Sequence, residues 1–142
     1  MGEKSFSLGP IMLHHLDHLG EDDFDVEEMF TKTSSPEGAI SYVTALKEDA
    51  NALFKLRDFN TAFVLYNKSI KCLCVVMCAI SDDTQLCEVS LELKDLAFSL
   101  HLNIAASAIK LNKFNDAITS CSLILESNKR NVKALFRRGV AL

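Results

Sequence analysis

The sequence predicts an all-α fold in which antiparallel helix pairs stack side by side, and three observations lead there. The segment "ANALFKLRDFNTAF" (50–63) recurs as "AASAIKLNKFNDAI" (105–118), so that Ala50 and Ala105, Leu56 and Leu111, Phe59 and Phe114, and Ala62 and Ala117 stand in register 55 residues apart. A further copy opens 34 residues on, with Ala105 matched by Gly139, Leu102 by Phe136 and Ala108 by Leu142. Between the copies, apolar residues recur every three to four positions, as amphipathic helices require. The chain's 142 residues hold only 2 Pro and 5 Gly, so few positions break a helix.

Taking the elements in order, residues 1–34 form an acidic leader with eight acids and two lysines, a net charge of −6. Its "EDDFDVEEMF" (21–30) is either a short helix or a disordered arm. "TSSPEG" (33–38) is a helix start, with Ser35 to cap and Pro36 to open it. The first helix then runs over 36–57. A second, 60–80, carries the stripe 62, 66, 69, 70, 73, 77 and 80. "SDDTQ" (81–85) turns the chain, and a third helix, 85–112, carries 86, 89, 93, 96, 100 and 104. Helices over 115–127 and 131–142 complete the pattern. Residues 35–142 are thus a domain of two repeats plus the first helix of a third. The missing second helix of that third repeat is expected if the sequence is a fragment or short form of a longer chain.

A 34-residue period with two helices per unit is the tetratricopeptide signature. The expected architecture is a right-handed superhelix whose helices are elongated between repeats one and two. That elongation accounts for a first spacing of 55 in place of 34. The small residues Ala50, Ala62, Ala105 and Ala117 let paired helices approach closely, and Phe59 and Phe114 are expected to fill the turns.

Several function classes are set aside by composition. The longest apolar run, "CLCVVMCAI" (72–80), is about half the ~20 residues of a membrane span. Residues 35–142 carry a net charge of only +2, too small and scattered for tracking nucleic acid. Cys72, Cys74, Cys78 and Cys87 lack the paired short spacings of structural zinc and read as small apolar residues. In "HHLDH" (14–18), His14 and His18 are spaced to grip a metal, but nothing else supports a site and a polar leader is the default reading. No phosphate-binding glycine loop or nucleophile elbow is present. The expectation is a non-enzymatic protein without cofactor or metal. Five cysteines with no framework spacing point to reduced thiols and a cytoplasmic setting.

Two short motifs place charged and amide side chains four residues apart. "VKALFRRGVAL" (132–142) stacks Lys133 under Arg137, with Arg138 following and no carboxylate within four residues. Such like-charge stacking is mildly destabilising unless an anion lies against it. "KEDAN" (47–51) places Lys47 and Asn51 on one helix face in the same way. "HLNIA" (101–105) adds Asn103. Lys47/Asn51 and Lys133/Arg137, each four residues apart, thus each share a helix face, where a charge-assisted hydrogen bond to a carboxylate contributes ~1.5–3 kcal/mol.

With these motifs over about residues 40–142, the sequence resembles the tetratricopeptide domains of heat-shock-protein co-chaperones, especially the large immunophilins. The resemblance implies a carboxylate clamp made of Lys47, Asn51, Asn103, Lys133 and Arg137. Its ligand would be the C-terminal Glu-Glu-Val-Asp peptide of heat shock protein 90 or heat shock protein 70. Any peptidyl-prolyl isomerase domain of the immunophilin type lies outside this sequence. Arg138, turned about 100° from Arg137, is a surface or rim charge. The alternative is a general repeat scaffold that binds other partners or self-associates through its uncapped last helix.

Overall fold

A computed structural model describes residues 36–79, 86–127 and 130–142. The leader and the 81–85 turn lie outside these residues. Five helices are present: α1 (Pro36–Lys55), α2 (Phe59–Ala79), α3 (Leu86–Lys110), α4 (Phe114–Ser127) and α5 (Val132–Ala141), with no strand among the described residues. The expected helices are all there, with ends displaced by one or two residues. α2 and α3, at 21 and 25 residues, are the elongated pair.

The repeat is visible in the backbone as well as in the side chains. α1 ends with Arg57 in the left-handed conformation (φ 67°) and α3 with Asn112 (φ 60°), 55 residues later. Around Arg57, Asp58 N–H donates to Leu53 C=O (2.9 Å) and Arg57 N–H to Phe54 C=O (3.0 Å); around Asn112, Lys113 N–H donates to Ala108 C=O (2.7 Å) and Asn112 N–H to Ile109 C=O (3.1 Å). Both ends are Schellman motifs, which satisfy carbonyls that the terminated helix leaves without partners. Asp58 then starts α2, its Oδ1 accepting from Thr61 N–H at 3.2 Å. The two helix–turn–helix units are therefore built alike.

Each helix packs on the next, and in addition α1 touches α3 and α3 touches α5. α1, α3 and α5 thus form one layer and α2 and α4 the other. Ala50, Ala62, Ala105 and Ala117 are fully buried where the layers meet. A methyl side chain at each crossing lets the backbones approach, while Tyr66, Ile70, Leu73, Leu93, Leu100 and Ile124 fill the space between. The turn phenylalanines differ from expectation in one respect. Phe59 is half-buried and meets Phe54 edge-on at 5.0 Å, whereas Phe114 is exposed. Phe114 has no counterpart of Phe54 one repeat later, since Ile109 stands in that register position.

α5 is held on one side only. Asn131 caps it, accepting from Ala134 N–H at 3.0 Å, and Ala134 and Ala141 are buried against α4 and α3. On the opposite side Val132, Leu135, Phe136, Val140 and Leu142 are exposed.

Candidate functional site

The inner layer positions the site. Lys47, Asn51 and Lys55 follow at four-residue intervals along one face of α1. Asn103 projects from the facing turn of α3, and Arg137 from α5. Asn51, Asn103 and Arg137 line one cavity of about 250 Å³ with Phe54, Lys55, Tyr66 and Ala106. This is smaller than the roughly 300–1,000 Å³ of small-molecule sites. The lining holds two cations, two amides and a phenol, and no carboxylate. An anion entering it meets donors on several sides and no like charge in the wall.

Hydrogen bonds between the helices fix these donors. Arg137 Nη1 donates to Leu102 C=O at 2.7 Å, tying α5 to α3 and leaving the rest of the guanidinium fork for the cavity. Tyr66 O–H, from α2, donates to Asn51 Oδ1. Asn103 Nδ2 lies 3.4 Å from the same oxygen, long for a hydrogen bond but within reach of one. Burial raises the pKa of Tyr66 above its ordinary value, so the phenol keeps its proton at neutral pH.

Three of the five expected residues line this cavity, and Lys47 and Lys133 are not in its lining. Lys47 lines a neighbouring cavity with Ile40, Thr44, Glu92, Asp95, Leu96 and Ser99, a wall that also holds two carboxylates. Lys133 is exposed on α5, one turn before Arg137. Arg138 is half-buried near Cys121. Burial raises the Cys121 thiol pKa, and Arg137 and Arg138 partly oppose that rise. Cys72 and Cys74 are buried in α2, as expected of small apolar residues, while the side chains of Cys78 and Cys87 lie outside the described residues.

Two polar lining residues, Tyr66 and Lys55, were not expected from the sequence. Tyr66 falls in an apolar stripe and reads as core. Lys55 carried a usable signal, since it continues the four-residue spacing of Lys47 and Asn51.

The chain is thus a two-layer array of repeated helix pairs with a donor-lined cavity on its inner layer. No family model and no solved structure matches the chain. Its homologues are large immunophilins named as peptidyl-prolyl cis-trans isomerases. It is 35% identical over 99 residues to FKBP42 of Arabidopsis thaliana, covering 67% of this chain and 25% of that protein. It is 33% identical over 98 residues to FKBP4 of Homo sapiens, covering 69% of this chain and 20% of that protein. It is 28% identical over 126 residues to CYP7 of Saccharomyces cerevisiae, covering 86% of this chain and 28% of that protein. The chain therefore spans about a quarter of the length of these relatives. Among the described residues, no helix is long and apolar enough to cross a membrane.

Proposed function

We propose that this chain is a non-enzymatic co-chaperone module of the tetratricopeptide superhelix type, in which residues 35–142 bind the free C-terminus of an acidic peptide. The ligand class is the Glu-Glu-Val-Asp end of heat shock protein 90 or heat shock protein 70, met in the cytoplasm. One observation carries this reading: Asn51, Asn103 and Arg137, from three different helices, converge on a cavity whose lining has no carboxylate. The similarity to large immunophilins supports a co-chaperone role. In this reading the terminal Asp sits in the cavity. Its two carboxylates take N–H groups from Asn51, Asn103 and Arg137, and Lys133 closes the open side. Lys47 contacts the peptide further along the groove, where Glu92 and Asp95 limit how much negative charge its neighbourhood accepts. Calorimetric titration with a Glu-Glu-Val-Asp peptide and its C-terminally amidated twin tests this. The acid binds and the amide binds at least tenfold more weakly, a difference of about 1.4 kcal/mol. Equal affinities would end the reading.

The second reading, a scaffold that associates through α5, is favoured by the exposed apolar row Val132, Leu135, Phe136, Val140 and Leu142. It predicts concentration-dependent assembly that Phe136→Glu abolishes, measured by analytical ultracentrifugation.

A further inference from the structure

We infer that Tyr66 is a positioning residue for the peptide site: its hydroxyl locks the Asn51 side-chain amide so that the NH2 group, and not the carbonyl, faces the ligand. The inference rests on the peptide reading above and goes beyond the five residues that the family resemblance supplies.

An asparagine amide has two nearly isosteric ends of opposite hydrogen-bonding character, and packing alone scarcely distinguishes them. At a carboxylate site the difference decides binding. The NH2 end donates to the anion, whereas the carbonyl end sets one acceptor against another. Something must therefore choose the orientation before the ligand arrives. Tyr66 does so from the rear. It is only 2% exposed, so its O–H is largely withdrawn from solvent and takes an acceptor within the protein. The acceptor it reaches is Asn51 Oδ1. The phenol is a donor at neutral pH in any case, and burial moves its pKa further up. Reversing the amide would turn NH2 toward the phenol and leave the buried O–H without its acceptor.

Asn103 reinforces the choice. Its Nδ2 approaches the same Oδ1 at 3.4 Å, and a reversed Asn51 amide would set donor against donor there. The carbonyl oxygen of Asn51 has two lone pairs, and both are directed to partners inside the protein. The NH2 end is what remains for the cavity. A chain of three side chains, from α2 through α1 to α3, thus presets two amides without adding charge to the site. This also explains a tyrosine in the α2 stripe, where phenylalanine would fill the core equally well.

The test compares the full 142-residue chain with Tyr66→Phe, Asn51→Asp and the double variant, by proton–nitrogen NMR of side-chain amides, circular dichroism and peptide calorimetry. Asn51→Asp keeps an oxygen for Tyr66 but replaces the NH2 donor with a like charge, and its missing resonance pair identifies the Asn51 amide. In Tyr66→Phe the Asn51 NH2 pair moves toward the position of a solvated amide while helix content is unchanged. The acidic peptide binds roughly tenfold more weakly, as expected for one misdirected hydrogen bond to a charged group. Asn51→Asp loses at least as much, and the double variant loses no more than Asn51→Asp alone. An unmoved amide pair, wild-type affinity in Tyr66→Phe, or a loss of helix content in that variant each overturns the inference. If the wild-type chain fails to bind the peptide, the proposed function fails, while the amide resonances still decide what Tyr66 does to Asn51.

Discussion

Replacing Arg137 with alanine removes two interactions at once, and the structure lets their sizes be separated. The guanidinium donates to Leu102 C=O at 2.7 Å and lines the donor cavity. A hydrogen bond from a charged group contributes about 1.5–3 kcal/mol, and partial exposure places the Leu102 bond at or below the lower end. α5 keeps its Asn131 cap and its buried Ala134 and Ala141 in the variant, so the helix remains docked but loosened. A stability loss of about 1 kcal/mol follows, which for a chain of this size lowers Tm by about 4 °C. The lost ligand contact is separate and predicts about tenfold weaker binding of the acidic peptide. Arg137→Lys refines the test, because one ammonium cannot hold the Leu102 carbonyl and face the cavity together, as the planar fork does. It recovers part of one effect and not both. Thermal unfolding followed by circular dichroism, with calorimetry on the same samples, reads both quantities. Unchanged peptide affinity in Arg137→Ala, or full recovery of both quantities in Arg137→Lys, would refute the reasoning.

Three further outcomes are expected. Lys133→Ala weakens peptide binding about tenfold without changing helix content, because the side chain is exposed and its contribution is to the ligand alone; loss of ellipticity would make it structural. Asn131→Ala removes the cap that accepts from Ala134 N–H at 3.0 Å; it costs about 1 kcal/mol and speeds amide hydrogen exchange in the first turn of α5 more than elsewhere. Burial raises the Cys121 thiol pKa from its ordinary 9.0, so the unfolded chain ionises first. The resulting stability is fully present below pH about 9 and is lost as pH rises from there through the raised folded-state pKa; Tm of the wild type should therefore fall more steeply above pH about 9 than that of Cys121→Ala.

How much of this was legible in the sequence depends on whether a feature is set locally or by packing between repeats. The helices and their turns were legible because the 55-residue register repeats local requirements. A small residue is needed at each helix crossing (Ala50, Ala105), and the positions two residues past the last helical turn, Arg57 and Asn112, both take left-handed backbone. The exposure of Phe114 and Leu56 was not, although both keep that register. What covers a turn residue depends on a side chain from a neighbouring helix, such as Phe54 against Phe59. At the site, Asn51 and Arg137 were reachable from four-residue spacing, and Asn103 only through the family resemblance. Tyr66 was hidden, since a tyrosine in an apolar stripe has the periodicity of core, and only the fold shows where its hydroxyl ends. The placement of Lys47 beside Glu92 and Asp95 was hidden for a related reason. The axial register of α1 against α3 is fixed by packing along the elongated pair, and no local pattern encodes it.

The central claim is that the inner face of α1, α3 and α5 reads a terminal carboxylate with preset amide and guanidinium donors. The most direct measurement follows the side-chain NH2 resonances of Asn51 and Asn103 while the Glu-Glu-Val-Asp peptide, and separately its C-terminal amide, is added to the full chain. With the free acid both pairs shift together and saturate along one binding curve, and with the amide they stay in place at the same concentrations. Unmoved Asn51 and Asn103 resonances, with shifts confined to the exposed Leu135 and Phe136 face of α5, would contradict the account.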